Sequence, residues 1–262
     1  MKTAFPWQAF WRGAAGFAFL LVLWEVFARS GLFTQAITPP LASIARAVWR
    51  MTLDGSLPKN ALATLGRVLL GLSFACLIGV PLGMLMGRVR VIERLCMPLI
   101  SVLMPIPSLA WVPLFILWFG IGEVATILVV IYAASFPVIY NVWTGVRAVN
   151  PVWVRAAVSM GANQRMLFRK VVLPGALPYV LTGIHLAFGR GWIAVIGGEL
   201  LANPEWGLGR VIFDAKEFLN SEVMMASLLA IGVIGLLFER VVFQGLETAT
   251  VARWGMVVGA RP

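Results

Sequence analysis

The 262-residue chain is predicted to be all-α: a single polytopic transmembrane domain over residues 1–262 with about six membrane-spanning helices. Three observations predict this. Hydrophobic residues make up 60% of the chain and charged residues only 12%, against a charged share nearer ~25% in ordinary soluble domains. Its apolar runs are long enough to cross a hydrocarbon core of ~30 Å. Lysines and arginines number 21 against 11 acidic residues, and nearly all of them lie between the apolar runs. A net charge of +10 would suit a nucleic-acid binder if it were gathered on one surface. Here it is scattered between hydrophobic runs, as the positive-inside rule expects, so the lipid bilayer is the expected partner and nucleic acid is not.

Six spans are expected, roughly at residues 13–28, 61–86, 99–119, 123–144, 178–201 and 223–243. The first follows Lys2 and Arg12 and resembles a signal peptide in outline. Glu25 near its end and the lack of a small-x-small cleavage pattern favour a retained anchor. Pro39 and Pro40 open a more polar stretch in which Ile44, Val48 and Met51 share one helical face, the pattern of a short interfacial helix. The second run is longer than the hydrocarbon core needs, so it tilts or projects. Pro105, Pro107 and Pro113 interrupt the third; lipid tolerates that only where protein or a cavity satisfies the freed carbonyls. A Gly120-Ile121-Gly122 turn leads into the fourth, and a loop with Asn203-Pro204, Gly207 and Gly209 separates the fifth from the sixth.

Orientation follows from the basic residues. One set of alternate loops holds 13 of them, including Arg88, Arg90, Arg94, Arg147 and the tail residues Arg253 and Arg261; the other set holds 6. The richer set marks the cytoplasmic side, which puts both termini there together with residues 150–174.

That stretch, NPVWVRAAVSMGANQRMLFRKVVLP, is the least membrane-like long segment in the chain. Asn150 is a suitable N-cap, Pro151 fits the first helical position, and Gly161 can take the left-handed conformation that ends a helix. Asn163 is expected to start a second short helix that Pro174 ends. A basic loop resting on anionic headgroups is one reading of the segment. The small-residue face of Val152, Ala156 and Ser159 and the rigid capping favour docking to a cytoplasmic protein instead.

Motifs for chemistry are missing. No phosphate loop, nucleophile elbow or zinc-protease helix occurs, so no catalytic residues and no enzyme activity are expected. Cys76 and Cys96 form no disulfide framework, and with His185 as the single histidine no metal site is expected. Charge inside a span costs about 2.5 to 3.5 kcal/mol on the insertion scale and requires a reason. Arg190, flanked by Gly189 and Gly191, reads either as a pathway cation that meets an anionic solute or as a buried arginine bonded to helix-end carbonyls or Glu199. Glu199 itself reads as an interfacial carboxylate, and Arg67 as snorkelling outward from a membrane boundary. Met104, Pro105 and Trp111 read as lining a path or as a packed kink, with His185 five residues before Arg190 as a further path candidate.

At residues 155–174 the chain resembles the permease subunits of binding-protein-dependent ABC importers. Their cytoplasmic signature runs E-A-A, three residues, G, nine residues, I-x-L-P. Here Arg155-Ala156-Ala157 is followed after three residues by Gly161, and after nine more by Val171-Val172-Leu173-Pro174. Arg155 replaces the usual Glu and Val171 the usual Ile. The stretch from Pro105 to Leu114, with Trp118 to Glu123, is similar to the branch that handles nitrate, sulfonate, taurine and bicarbonate. So are Trp192, Glu199 and Gly207-Leu208-Gly209. The resemblance implies a multi-pass protein of the bacterial cytoplasmic (inner) membrane that forms a homodimer around a central pathway for a small, anionic solute. It also implies two ABC ATPase subunits docked on residues 150–174, through Arg155, Ala156, Ala157, Gly161, Leu173 and Pro174, and an extracytoplasmic (periplasmic) solute-binding protein. This chain would bind no cofactor; ATP and Mg would sit on the partner subunits. The alternative is an ATP-independent secondary transporter or channel, whose inverted repeats and paired intramembrane carboxylates are not seen.

Overall fold

The computed structural model describes residues 7–32, 34, 37–243 and 245. Lys2, Arg253 and Arg261, which enter the orientation count, lie outside the described residues. Among the described residues eleven α-helices follow in order: α1 (Trp7–Arg29), α2 (Leu41–Leu53), α3 (Ser56–Arg88), α4 (Arg90–Leu103), α5 (Val112–Phe119), α6 (Glu123–Ala148), α7 (Pro151–Ser159), α8 (Gln164–Leu167), α9 (Leu173–Ala202), α10 (Leu208–Glu217) and α11 (Ser221–Leu237). No strand occurs among the described residues.

Among those residues four helical stretches are long and apolar enough to cross a membrane: Ser56–Arg88, Glu123–Ala148, Gln164–Ala202 and Ser221–Phe243. The pair Arg90–Leu103 and Ser108–Phe119, bent by 91°, makes a fifth. The first predicted span lies inside α1, whose 23 residues extend about 34 Å at 1.5 Å per residue. Only 17% of the most apolar part of Ser221–Phe243 is buried within the chain, so its remaining surface requires an apolar solvent.

The core is a three-helix layer, with α6 held between α3 and α9. Close approach on the first side rests on a stripe of small residues at i+4 spacing. A Cβ added at Gly71, Gly79, Gly83 or Gly87 would come within 2.5 to 2.9 Å of Val130, Val138, Val142 or Val146. Residue numbers rise together along this seam, so α3 and α6 are parallel. Small residues in such a face let backbones approach where lipid supplies no hydrophobic drive between helices. On the other side Gly145 meets Tyr179, Gly183 meets Asn141 and Gly198 meets Thr126, an antiparallel seam.

The three prolines do more than kink the third span. Helix α4 starts at Arg90 and stops at Leu103, and after a 3-10 turn at Ser108–Trp111 the chain resumes as α5. The run 99–119 is therefore a broken span rather than one straight helix. At the break the Leu103 carbonyl accepts both the Ile106 N–H at 3.0 Å and the Tyr132 hydroxyl of α6 at 2.6 Å, so protein groups satisfy the oxygen that the lost helical bond releases.

Two further expectations change. The polar stretch after Pro40 does form a short helix, α2, but its face of Ile44, Ala47 and Met51 is buried against protein, with Ala226 of α11 in the same cluster. The Glu25 carboxylate accepts the first N–H of α2, from Leu41, at 2.9 Å, which gives that charge a structural partner. At Pro174 the helix does not end. It runs from α8 through a π turn at Phe168–Val172 into α9, with Pro174 in the first turn of α9. The wider π turn falls where the proline ring would otherwise crowd the carbonyl four residues back.

Candidate functional site

Three groups of residues carry candidate function, at the two ends and the middle of the layer. The first is α7. Asn150 accepts the Val152 N–H at 2.9 Å and Pro151 occupies the first helical position. At the other end Gly161 has φ of 79°. The Ala162 N–H reaches the Ala157 carbonyl at 3.0 Å and the Gly161 N–H reaches Val158 at 2.9 Å. These two bonds constitute a Schellman motif, so the spacing from Ala157 to Gly161 is the spacing of a helix and its left-handed stop. Ala157 is buried, whereas Arg155 and Ala156 are exposed. Trp153 and Met160 present 53% and 82% of their surface. Arg88 at the end of α3 holds the following segment, donating to Gln164 at 3.2 Å and lying over the Phe168 ring at 4.8 Å. Leu173 is half-buried and Pro174 exposed.

The second group surrounds a cavity of about 440 Å³ at the broken span. Met104, Pro105 and Leu109 form one wall, Tyr132 and Phe136 of α6 another, and Arg190 of α9 the third. Arg190 is exposed and forms no ion pair among the described residues. Its pairing with Glu199 is excluded, because Glu199 is spoken for elsewhere. Trp111 does not line this cavity; it stacks on Phe115 and lies 5.1 Å from the Tyr132 ring, supporting the wall from behind. His185 faces a different way, with Nε2 2.7 Å from Glu239 and its ring stacked on Phe243.

Sequence reasoning missed the third group. Asn60, Thr64 and Arg67 lie on one face of α3, at spacings of four and three, and all three are buried. Arg67 does not snorkel: its side chain is 4% exposed and it forms two ion pairs. Nε and one terminal nitrogen grip both oxygens of Glu123, at 2.6 and 2.5 Å, while the other nitrogen reaches Glu199 at 2.5 Å. Nor is Glu199 interfacial, being fully buried. Its second oxygen accepts the Thr64 hydroxyl at 3.0 Å and the Gly209 N–H at 2.8 Å. Gly207 donates to Asn60 at 2.7 Å and Leu208 to Thr64 at 2.9 Å. The Gly207-Leu208-Gly209 turn is thus a backbone cradle that bonds directly to this network. Gly207 has φ of 147°, and a Cβ there would lie 2.5 Å from the Glu199 carboxyl carbon. Buried charges persist only when paired and hydrogen-bonded, and each here has its partners. The i, i+4, i+7 polar stripe on a span was the available sequence signal.

A bundle of membrane spans with a capped helix presented beyond one end and a cation-bearing cavity at its middle belongs to a transport permease. The chain is a member of the family of binding-protein-dependent transport system inner membrane components, whose pattern matches residues 79–245. It is similar to the taurine transport system permease protein of Escherichia coli, with 35% identity over 227 residues covering 85% of this chain and 82% of that one. Similarity to the bicarbonate transport system permease protein of Synechococcus elongatus is 33% identity over 237 residues, covering 87% and 85%. In fold it matches a chain of the inward-facing methionine ABC transporter MetNI, at a TM-score of 0.64 and 21% identity over 76% of this chain and 98% of that one. The protein is therefore an ABC transporter permease, a multi-pass protein of the inner membrane.

Proposed function

We propose that this chain is the transmembrane subunit of an ATP-driven importer and forms the pathway for a small anionic solute that an extracytoplasmic binding protein delivers. Two copies surround the pathway, and two ATPase subunits hold ATP and Mg; the chain itself has no phosphate loop and breaks no covalent bond. The observation that carries the reading is α7: a helix closed at both ends by its own caps, with Trp153 and Met160 exposed beyond the last buried turn of α6. A body capped in this way moves as a rigid piece, which suits it to transmit closure of the ATPase dimer to the spans. The solute class is supported by Arg190, a cation at the mid-span cavity without an ion pair among the described residues, and by relatives named for taurine and bicarbonate, both of which bear an oxyanion group.

The test replaces Gly161 with Leu in the complete complex reconstituted in vesicles. A side chain at φ of 79° opposes the left-handed stop, so binding-protein-stimulated ATP hydrolysis should fall at least tenfold while the permease still inserts. Wild-type stimulation in the variant rules out this element as the coupling site.

A further inference from the structure

The cavity at Arg190 is one end of a longer seam between α4 and α6. Met97 and Ser101 share one face of α4 at a spacing of four, and Met104 and Pro105 follow directly after its last residue. On α6 Tyr132, Phe136, Tyr140, Trp143 and Arg147 likewise recur every three or four residues and share a face. The two helices are bridged across the seam at both ends, by Tyr132 to the Leu103 carbonyl and by the Arg147–Glu93 ion pair. Those bridges lie fifteen residues apart along α6, about 22 Å at 1.5 Å per residue.

At the far end of the seam is an open cleft of about 610 Å³ lined by Arg90, Arg94 and Arg147, with Glu93, Met97 and Ser101. Three guanidinium groups meet one carboxylate there. Arg90 and Arg94 are exposed and form no ion pair among the described residues. The cleft therefore retains two uncompensated positive charges of the type whose planar fork fits oxyanions in bidentate fashion. Its face of α4 is separate from the stripe of Val91, Leu95, Leu99 and Val102, each at least 64% exposed. That stripe is an exposed apolar side of α4; the arginines instead continue the face that carries Met97 and Ser101.

We infer that Arg90, Arg94 and Arg147 form a second oxyanion station, at the α7 end of the route that starts at Arg190. This inference rests on the proposed passage of an anionic solute. A station of this kind draws the anion out of the mid-span cavity and holds it loosely, near partly solvated arginines, before release. The same chemistry fits the phosphate of an anionic lipid headgroup, so the test separates the two sources.

The complete complex is prepared in neutral detergent, and binding of labelled inorganic sulfate is measured for wild type, for Arg90→Gln with Arg94→Gln, and for Arg190→Ala. The double variant leaves the Arg147–Glu93 bridge in place, which protects the fold. It is expected to bind sulfate at least tenfold more weakly and to slow uptake of taurine or bicarbonate severalfold; Arg190→Ala should keep sulfate binding at the cleft. Wild-type sulfate binding in the double variant overturns the proposal. So does lost sulfate binding with unchanged uptake, which takes the cleft off the route. Where neither solute is accumulated by wild type, sulfate binding decides alone. Repeating the measurement in nanodiscs separates the sources: sulfate binding retained in phosphatidylcholine but abolished in phosphatidylglycerol assigns the arginines to lipid headgroups and overturns the station. Uptake by Arg190→Ala bears on the proposed function and not on the cleft.

Discussion

Arg67 and Glu199 stand 132 residues apart in the chain and meet at 2.5 Å, with side chains 4% and 0% exposed. One helix at the start of the bundle and one near its end are thereby locked at the end opposite α7, and the Gly207–Gly209 turn is fastened to the same carboxylate.

Removing one member of this pair leaves a buried charge without its partner. Arg67→Met is expected to destabilise the purified protein by about 3 to 5 kcal/mol. Thermal unfolding in detergent measures it, and a double Arg67→Met, Glu199→Met variant should recover part of the loss. A single variant as stable as wild type would show that the network contributes little.

Gly207→Ala places a Cβ against the Glu199 carboxyl at a positive φ. The expected loss is about 1 to 3 kcal/mol, read from the same unfolding midpoint. Gly232, whose Cβ would meet nothing within 4 Å, supplies the control.

The α3–α6 seam predicts a graded response. In Gly83→Ala the new Cβ would fall 2.7 Å from the Ile139 carbonyl oxygen and force two backbones apart, at a cost of about 1 to 3 kcal/mol. Gly66→Ala, in open space on the same helix, should be neutral or slightly stabilising, since alanine exceeds glycine in helix propensity. Equal effects at both sites would contradict the seam.

Arg190→Ala should impair uptake of an anionic solute at least tenfold while assembly with the ATPase and its basal hydrolysis persist. Arg190→Lys keeps the charge and should restore part of the uptake. Full uptake by the alanine variant removes Arg190 from the pathway.

Arg155 is exposed and forms no ion pair among the described residues. Arg155→Glu is therefore expected to alter stability by less than about 0.5 kcal/mol yet change the salt dependence of ATPase binding. Titration of the ATPase at two ionic strengths is the measurement; identical slopes would place the partner's contacts elsewhere on α7.

Much of the fold was readable because the signals are local. Asn150, Pro151 and Gly161 predict α7, and the structure agrees, because each cap depends on hydrogen bonds within six residues of chain. Pro174 misled as a helix stop because a π turn at Phe168–Val172, between α8 and α9, accommodates the ring. Met104, Pro105 and Arg190 do surround one cavity, while Trp111 packs behind its wall and His185 belongs to a contact with Glu239.

The sequence by itself determined that the chain crosses a membrane repeatedly, where its apolar runs lie and where a capped helix interrupts them, since hydropathy and capping act over a few residues. Only the tertiary structure decided the fate of the intramembrane charges. Whether Arg67 reaches water, Glu123 or Glu199 depends on the rotation of α3, α6 and α9 about their axes. That rotation is set by which small residues let the backbones touch, and the partners lie 56 and 132 residues away.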